Sequence, residues 1–406
     1  MSFDVDAFRR RFPALQTGVA HFDGPGGTQT PVEVGEAVAR TLTGPLSNRG
    51  TATASERNAT DAVLAMRAAV GELLGVPAEG VVYGRSATQL AYDFSRHLSR
   101  EWGPGDEVVV TRLDHDSNVR PWVQAAERAG ATVRWISLDP ATGELLLDDL
   151  AEVLSERTRI VALTAASNLI GTMPPVRAIA DAAHAVGALV YVDAVHYAAH
   201  ELVDRAELGA DFVVCSPYKL LGPHCAVLGA QPELLETIRP DKLLPSTNVV
   251  PERFEFGTLP YETMAGVTAA VDVLAGLAPG DATTRRGALA ASFRALHAHE
   301  SALLARLEDG LAAFGSDVVV WSRAARRTPT LLLTIPGRSA VEASAFLAER
   351  DVHAPAGNFY ALEASRALGL GDAGGLRAGL APYTTVDEVD RLLEGLGEFL
   401  QGRLGS

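Results

Sequence analysis

Short, nearly continuous apolar runs alternate with longer amphipathic stretches along the first two thirds of the chain. The apolar runs are typical of buried strands and predict them at 81–83, 107–111, 132–136, 159–164, 188–193, 211–215 and 226–229. The stretches between them predict helices, among them 87–100, 119–129, 147–155 and 176–186. Apolar strands separated by helices indicate a mainly parallel, seven-stranded sheet that is covered by helices on both faces.

The pattern changes at the turn-rich stretch 279–281, which predicts a domain boundary. Beyond it the sequence predicts helices at 285–314, 340–349 and 386–400 and strands at 317–321, 330–335 and 376–380. We therefore predict an α/β fold with a large domain over 21–280 and a smaller α+β domain over 281–406. The first 20 residues, with an amphipathic helix at 3–15, are predicted to pack with the small domain.

Composition and charge narrow the classes of function. The chain has 406 residues, of which 47% are hydrophobic and 21% charged, and its net charge is -15 at pH 7. Nucleic acids and anionic membranes would repel such an acidic protein, so neither is expected as a partner. The two cysteines, Cys215 and Cys225, make neither a disulfide framework nor a zinc-ligand set, and no metal is predicted.

The chain also lacks the apolar segments that target or anchor a protein. Its charged N-terminus has no signal-peptide core, and no apolar run approaches the roughly 18 residues that span a bilayer. These features predict a cytoplasmic protein that is an enzyme or binds a small molecule.

Polar side chains at the carboxyl ends of the predicted strands are the candidate functional groups, because ligands of parallel α/β sheets bind there. Lys219 follows the apolar run 211–215 on a loop rich in Ser, Pro and Gly. A desolvated lysine has a lowered pKa and can form a Schiff base, although a solvated loop residue is the simpler interpretation of Lys219 alone. Asp193 ends another buried run, where a carboxylate needs a cationic partner. That partner is either Lys219 or the protonated ring nitrogen of a cofactor.

The neighbouring strand-end groups match the needs of one cofactor. An aspartate for a pyridinium and a lysine for an aldehyde together indicate pyridoxal 5'-phosphate. The segment Ser86-Ala87-Thr88 opens a helix after a strand, where hydroxyls and backbone N–H groups can bind a phosphate. His115 can stack on the cofactor ring, and Asn168 and His196 can bind its phenolic oxygen. Each group alone is commonly a cap or loop residue, but their occurrence at successive strand ends favours a single ligand site.

Together with further motifs, these residues give the chain a family resemblance. The chain resembles the class-V aminotransferase and cysteine desulfurase group of fold-type-I pyridoxal-phosphate enzymes over essentially its whole length. The motifs, specific only as an ordered set, are His21-Phe22-Asp23, Asn48-Arg49-Gly50, Ser55-Glu56-Arg57, Asp114-His115 with Ser117-Asn118, Ser167-Asn168-Leu169-Ile170-Gly171-Thr172, Asp193-Ala194-Val195-His196, Tyr218-Lys219 with Gly222-Pro223, Phe256-Gly257-Thr258 and Arg377.

The resemblance implies roles at the cofactor. Lys219 would hold it as a Schiff base and then shuttle the Cα proton of the substrate. Asp193 would keep the pyridine nitrogen protonated, and His115 would stack on the ring. Further cofactor contacts would come from Ser86, Ala87, Thr88, Asn168, His196, Ser216 and Tyr218, and from Thr258 of a neighbouring subunit. A homodimer with shared active sites is therefore expected.

The resemblance also implies a substrate site. Arg377 would clamp the carboxylate of an amino-acid substrate with two hydrogen bonds, which suits the planar guanidinium. The small-residue loop at 24–27, which includes Gly26, would line the substrate space, as would Asn358 and Tyr360.

Three positions depart from the desulfurase pattern. Tyr218 precedes the lysine where desulfurases usually carry His, and His196 stands where Gln is common; both should still contact the cofactor. The third departure lies in the segment 354–360, where desulfurases carry the cysteine that accepts sulfur. Tyr360 stands at that position.

The sequence therefore predicts a desulfurase-like enzyme without the acceptor cysteine. Its substrate would be an amino acid or an S-substituted cysteine, and the leading reaction is β-elimination, which breaks a C–S bond. An aminotransferase, an epimerase or a decarboxylating enzyme of the same family is an alternative, because one carbanion leads to all these products. A true desulfurase that uses another thiol, such as Cys225, and a cofactor-binding protein without turnover are the others.

Overall fold

The structure is a computed structural model that describes residues 3–148, 150–278, 280 and 282–402. Its strands are β1 (Ala20–His21), β2 (Val81–Gly84), β3 (Glu107–Thr111), β4 (Thr132–Ile136), β5 (Thr158–Thr164), β6 (Leu189–Asp193), β7 (Phe212–Cys215), β8 (Ala226–Ala230), β9 (Val319–Val320), β10 (Thr330–Thr334), β11 (Val352–His353), β12 (Ala356–Gly357) and β13 (Gly375–Gly379). Its α-helices are α1 (Val5–Arg9), α2 (Val32–Thr43), α3 (Ala54–Leu74), α4 (Ala87–Leu98), α5 (Arg120–Ala129), α6 (Leu150–Val153), α7 (Val176–Ala185), α8 (Arg205–Leu208), α9 (Pro232–Thr237), α10 (Tyr261–Ala275), α11 (Arg285–Ala312), α12 (Ala340–Ala348), α13 (Leu362–Ala367) and α14 (Val386–Gln401).

A seven-stranded sheet lies at the centre of the molecule, with the strand order β2-β8-β7-β6-β5-β3-β4. The strands from β7 to β4 are parallel to one another, whereas β8 is antiparallel to both of its neighbours. The predicted α/β fold with a mainly parallel seven-stranded sheet is therefore confirmed.

Successive residues of the inner strands face two different hydrophobic cores. On β5, Val161 and Leu163 pack into the core that includes α3, α7 and α10, while Ile160 and Ala162 pack into the core that includes α4 and α5. Every residue of β3 and β7 is buried. Because both faces of these strands are covered, their sequences are continuous apolar runs rather than alternating ones.

The carboxyl ends of five strands meet along one edge of this sheet. Strand β2 is antiparallel to β8, which is antiparallel to β7, so β2 points the same way as the parallel strands. The residues at or just after the ends of these strands include Ser86, Asp114, Asn168, Asp193 and Lys219. The sheet topology therefore places the predicted functional groups on a common edge.

The C-terminal part of the chain has its own sheet and core. Strands β12, β13, β10 and β9 form an antiparallel sheet that shares a core with α11, α12 and α14. The N-terminal segment contacts this part, since Phe12 packs against Tyr383 and Arg9 pairs with Glu388 at 2.9 Å. The division into 1–20, 21–280 and 281–406 stays a prediction, and its boundary at 279–281 and both chain ends include positions outside the described residues.

Two predicted helices are shorter in the structure. The helix predicted at 3–15 ends at Arg9, and a 3₁₀ turn follows at Pro13–Thr17. The residue before a proline is pushed out of the helical region, and Phe12 accordingly has φ -112° and ψ 103°. The helix predicted at 147–155 is reduced to α6, and residue 149 lies outside the described ranges. In the described part of the chain, no helix has both the length and the apolarity to cross a membrane.

A buried pair between α11 and the segment after β6 offers a test of this packing. Glu300 accepts a hydrogen bond from Nδ1 of His200 at 2.9 Å, and the two side chains are only 4% and 5% exposed. The substitution Glu300→Ala is expected to lower the free energy of unfolding by about 3 kcal/mol, because it leaves a buried polar partner unpaired. Arg306→Ala on the same helix should change stability little, since its pair with Asp390 is exposed. Urea unfolding measures both, and equal losses would contradict the prediction.

Candidate active site

Lys219 lies at the carboxyl edge of the central sheet, in a 3₁₀ turn that Pro217 begins directly after β7. Its side chain is buried, with 7% exposure. The sequence contains one other lysine, Lys242. Burial and the nearby charge of Arg377 lower the pKa of Lys219 to about 8, while the charge of Asp193 acts in the opposite direction. A large fraction of Lys219 is therefore an uncharged, nucleophilic amine near neutral pH.

Asp193 ends β6 with a buried carboxylate, for which the described residues offer no ion pair within 4 Å. One carboxylate oxygen accepts a hydrogen bond from the backbone N–H of Val195 at 2.8 Å. Burial raises the pKa of Asp193, and the Val195 N–H and the charge of Lys219 oppose that effect. Since a buried carboxylate is stable only beside positive charge, Asp193 is suited to a cationic group of a ligand.

A cavity of about 80 Å³, here called the inner cavity, connects these groups. The predicted cofactor contacts from this chain, apart from Thr258, all line it. They are Ser86, Ala87, Thr88, His115, Asn168, Asp193, His196, Ser216, Tyr218 and Lys219. The structure thus brings together residues that are up to 133 positions apart between Ser86 and Lys219 in the sequence.

Two polar atoms of the inner-cavity residues are buried without a hydrogen-bond partner: Oδ1 of Asn168 and Nδ1 of His196. The other polar atoms of both side chains are engaged. Nδ2 of Asn168 donates to the carbonyl of Phe359, and Nε2 of His196 contacts the hydroxyls of Thr328 and Thr330. Burial lowers the pKa of His196 well below its ordinary value, so this imidazole is neutral. Unpaired buried atoms of this kind are expected where a polar ligand binds.

The start of α4 forms a site for an anion at the same cavity. Ser86 is the N-cap of this helix, and its hydroxyl accepts a hydrogen bond from the Gln89 N–H at 3.1 Å. The first turn carries no acidic side chain, and both Ala87 and Thr88 line the cavity. Free backbone N–H groups and the helix dipole at such an end attract phosphate groups.

His115 presents a neutral ring to both the inner cavity and the adjoining cleft. Its Nδ1 accepts the backbone N–H of Ser117 at 3.1 Å, so Nε2 carries the ring proton. Burial, with the charges of Lys219 and Arg377, lowers the pKa of His115 to about 3. A neutral imidazole held by one edge leaves its face free to stack on a planar ligand.

A second, larger space adjoins the inner cavity and shares Lys219 and His115 with it. This space, here called the outer cleft, has a volume of about 610 Å³. Of the predicted substrate-site residues, Gly26, Tyr360 and Arg377 line it. Its volume lies within the range of sites that hold small-molecule ligands.

Arg377 lies on β13 and is held as a fixed cation between the two sheets. Its Nη1 donates to the carbonyl of Asn168 at 2.9 Å, and its guanidinium carbon lies 3.6 Å from the centre of the Phe359 ring. Its Nε is buried without a partner. Burial lowers the pKa of Arg377, but this guanidinium still carries its charge at neutral pH. A substrate carboxylate would supply the missing acceptor.

Tyr360 projects from a tight turn that hydrogen bonds fix on three sides. Phe359 and Tyr360 have φ values of 51° and 60°, which non-glycine residues rarely adopt. Their carbonyls accept from Nδ2 of Asn168 at 2.9 Å and from the Asp116 N–H at 2.7 Å. The Tyr360 N–H donates to Oδ1 of Asn358 at 3.0 Å. The turn is therefore a rigid wall of the outer cleft.

Two predicted site residues do not face these spaces. The amide of Asn358 is used within the turn and toward the carbonyl of Asp372 at 2.9 Å, so the residue shapes the wall instead of lining it. Thr258 lines a separate depression with Tyr83 and His224. Within this chain, neither side chain is placed beside Lys219.

The structure adds residues that the sequence did not single out. Phe359 covers the guanidinium of Arg377, and His200 with Glu300 lies behind His196, the two imidazole rings being 5.0 Å apart. The only sequence signal for Phe359 is its position next to Tyr360. None exists for Glu300, because its contact depends on how α11 packs against the large sheet.

Comparison with known proteins assigns the family. A family model described as aminotransferase class-V matches residues 20–392. The chain belongs to the class-V aminotransferase family. The predicted family resemblance is therefore confirmed, and the chain is an enzyme.

Similar proteins in this family include cysteine desulfurases. A probable cysteine desulfurase of Mycobacterium leprae is 31% identical over 420 residues, covering 97% of this chain and 96% of the relative. An aminotransferase-like protein of Gibberella zeae is 30% identical over 416 residues, covering 97% of this chain and 98% of the relative. The crystal structure of the cysteine desulfurase CsdA from Escherichia coli superposes with a TM-score of 0.87 at 28% identity, covering 99% of both chains.

Class-V aminotransferases use pyridoxal 5'-phosphate, and the residues of this chain fit that cofactor. The fit rests on the unpaired carboxylate of Asp193, the lowered pKa of Lys219, and the partnerless atoms of Asn168 and His196. These groups match a ring nitrogen, an aldehyde and a phenolic oxygen, and the N-terminus of α4 matches the phosphate.

Arg377 provides a prediction about substrate binding. The substitution Arg377→Lys is expected to raise KM for an amino-acid substrate by about 10–100-fold, because a lysine cannot reproduce a two-pronged, charge-assisted clamp. The cofactor spectrum should not change. Steady-state kinetics measure the effect, and Arg323→Lys, on the surface, serves as the control. A KM equal to that of the wild type would contradict the assigned clamp.

The lowered pKa of Lys219 predicts how the cofactor is captured. Only the uncharged amine attacks an aldehyde, and a lysine with its pKa lowered to about 8 loses its proton as the pH rises through that value. The rate at which the apoprotein takes up pyridoxal phosphate should therefore rise across pH 8 and then level off. Stopped-flow absorbance measures this rate. An inflection near 10.5, the ordinary value for lysine, would contradict the prediction.

Proposed function

We propose that this enzyme cleaves the C–S bond of an S-substituted cysteine by β-elimination, releasing a thiol, pyruvate and ammonia. The observation that carries the proposal is the chemistry of the outer cleft. Its wall presents the Tyr360 phenol at the position where the resemblance to desulfurases places a sulfur-accepting cysteine. A phenol can donate a proton, but it cannot form the persulfide that desulfuration requires.

The bound cofactor would supply an electron sink that stabilises negative charge at the substrate Cα. Lys219 would hold it, Asp193 would pair with its ring nitrogen, and His115 would stack on its ring. Ser86, Ala87, Thr88 and Ser216 would bind its phosphate, and Tyr218 would lie beside it. Asn168 and His196 would bind its phenolic oxygen.

The residues of this chain would then perform three tasks on the substrate. Arg377 would bind the carboxylate and fix the amino acid in the outer cleft. The amine of Lys219 would remove the Cα proton, since its lowered pKa makes it a base near neutral pH. The electron pair left at Cα would form a double bond to Cβ as the Cβ–S bond breaks, and the departing thiolate would take up a proton. Water would then convert the unsaturated product to pyruvate and ammonia.

The position of the two cysteines argues against sulfur transfer within this chain. Cys215 and Cys225 are both buried, and neither lines the inner cavity or the outer cleft. Burial raises the pKa of the Cys225 thiol to about 12, so it is scarcely ionised at neutral pH. Because the thiolate is the reactive form, Cys225 is poorly suited to attack sulfur.

A homodimer forms part of this proposal. Thr258, which the family resemblance assigns to the phosphate site of a neighbouring subunit, lies away from Lys219 in its own chain. The nearby surface exposes Leu243, Leu244, Val249 and Phe256, as expected of a surface that pairs with a second copy. Sedimentation analysis should find a dimer, and Thr258→Val should weaken cofactor binding without dissociating it.

Product analysis tests the proposed reaction. Purified enzyme is incubated with cysteine and with S-alkyl and S-aryl cysteines, and pyruvate, alanine, thiol and sulfide are measured. Pyruvate with an equal amount of thiol supports β-elimination. Alanine formed from cysteine, together with sulfide after reduction, would overturn it in favour of desulfuration.

Two variants sharpen this test. Cys225→Ser should leave pyruvate formation unchanged, because the thiol takes no part. Tyr360→Phe removes only the phenolic hydroxyl and should slow release of poor thiol leaving groups more than that of good ones. Equal slowing for all leaving groups would contradict a proton-donating role for Tyr360.

A further inference from the structure

Three potential metal ligands converge at the junction between the N-terminal segment and the C-terminal part of the chain. His21 on β1, His353 on β11 and Asp23 place one ligand atom each within 4.8 Å of one another. Strands β1 and β11 are parallel, and His21 and His353 are direct partners in their register. The two imidazole rings lie edge to face, with centroids 5.2 Å apart. In the part of the chain that the structure describes, no other group of three His, Cys, Asp or Glu residues meets this criterion.

Hydrogen bonding at His21 does not satisfy all the groups that converge on it. Nδ1 of His21 lies 3.3 Å from Oδ1 of Asp23 and 3.4 Å from Nε2 of Gln29. A nitrogen with a proton could donate to the carboxylate, and one without a proton could accept from the amide. It cannot do both at once, so one of the two contacts is always unfavourable.

The distances suit a small divalent cation. A tetrahedral zinc ion with ligand bonds of about 2.0 Å holds its ligand atoms about 3.3 Å apart. The separation between Nδ1 of His21 and Oδ1 of Asp23 is 3.3 Å. His353 is only partly buried, so its side chain can turn toward the other two. Two imidazoles and a carboxylate are ligands that zinc accepts, and the carboxylate supplies a negative charge.

We propose that His21, Asp23 and His353 form a binding site for a divalent transition-metal ion of the zinc type. The sequence gave no hint of it, because the ligands come from distant segments that only the β1–β11 pairing brings together. The ion would connect two segments that line the outer cleft. Asp23 directly precedes the loop with Pro25 and Gly26, and His353 directly precedes the segment with Phe359 and Tyr360.

The site would therefore act as a clamp on the substrate side of the enzyme. Binding an ion to the native state only must stabilise that state, by an amount that grows with ion concentration. The expected signature is a rise in the unfolding temperature with added zinc that depends on both histidines. This proposal is independent of the reaction proposed above, since it concerns different side chains.

Metal titration of the holoenzyme tests the proposal. After treatment with a chelator, the protein is titrated with Co²⁺, whose visible absorption at wavelengths longer than the cofactor band reports four-coordination, and then with Zn²⁺ as competitor. The wild type should bind one ion per chain. His21→Ala and His353→Ala should each lower the affinity by at least about 10-fold, since the loss even of groups that only support a ligand costs that much.

Three further results decide between specific and incidental binding. His353→Cys restores a zinc ligand and should recover binding. His184→Ala serves as the matched control, because His184 pairs with Asp211 at 2.9 Å on the surface without a third ligand, and it should bind as the wild type does. The proposal is overturned if the wild type binds no ion at micromolar concentrations, or if His21→Ala and His353→Ala keep the wild-type affinity. Circular dichroism of the metal-free variants shows whether each is folded.

Discussion

Replacing Lys219 by alanine is expected to remove the visible absorption of the lysine-bound cofactor and to lower turnover by at least about 10³-fold, within the range for loss of a general base. Two properties of the residue cause this result. Its buried amine holds the cofactor, and the same amine, with its pKa lowered to about 8, removes the substrate proton. Absorbance spectra and steady-state kinetics on the purified variant measure the two effects.

The chain contains its own control for this experiment. Lys242 is the other lysine of the sequence, and its amine donates a hydrogen bond to the carbonyl of Ser246 at 2.7 Å, away from the inner cavity. Lys242→Ala should keep both the spectrum and the turnover of the wild type. If Lys219→Ala retained the visible band, the assignment of Lys219 would be wrong.

The second large effect is expected from Asp193→Asn, which should lower turnover by about 10²–10³-fold, the usual cost of losing one preorganised electrostatic partner. The amide has the size of the carboxylate and can still accept the hydrogen bond from Val195, so the fold should be retained. It carries no charge, however, and cannot hold a proton on the cofactor ring. The electron sink is therefore weakened while the cofactor stays bound.

Kinetics together with the cofactor content of the purified variant separate these effects. Asp181→Asn provides the control, because Asp181 lies on α7 in an exposed pair with Arg177. The control should match the wild type in both respects. Turnover of Asp193→Asn at the wild-type rate would show that Asp193 does not tune the cofactor.

Sequence patterns predict the central sheet well because its strands are determined by local composition. The strand predicted at 107–111 has the bounds of β3, and the run predicted at 132–136 has those of β4. Residues covered on both faces must be apolar, and that requirement appears in any short window of sequence. The helix predicted at 3–15 is wrong in its extent because Pro13 ends the helical conformation, a local signal that the hydrophobic period concealed.

The shortest strands could not be predicted in the same way. Strands β1, β11 and β12 contain two residues each, and their pairing partners lie far away in the sequence. No periodicity can develop over two residues. For the same reason the convergence of His21 with His353 is visible only in three dimensions.

The inner cavity was predictable to a useful degree because a parallel sheet collects its carboxyl ends. Asp193 and Lys219 were singled out as polar residues that follow buried strands, and both line the cavity. The outer cleft was less predictable, because its wall comes from the C-terminal sheet. The contact of Phe359 with Arg377 and the turn that presents Tyr360 depend on how two sheets pack, which a linear pattern does not encode.

The rigidity of that turn bears on the proposed chemistry. A sulfur-accepting residue must first reach the substrate and then pass its sulfur on, so it benefits from a mobile segment. Here the carbonyls of Phe359 and Tyr360 and the N–H of Tyr360 are all hydrogen-bonded, to Asn168, Asp116 and Asn358. A fixed wall suits an enzyme that completes its reaction within the cleft and releases a small thiol.

Covalent trapping of the cofactor tests the central claim most directly. The holoenzyme is reduced with borohydride, which makes the link between cofactor and amine permanent, and its peptides are then mapped by mass spectrometry. The account predicts one modified peptide per chain, with the added mass on Lys219 and none on Lys242. Modification of Lys242, or a protein that binds pyridoxal phosphate without any modified lysine, would contradict it.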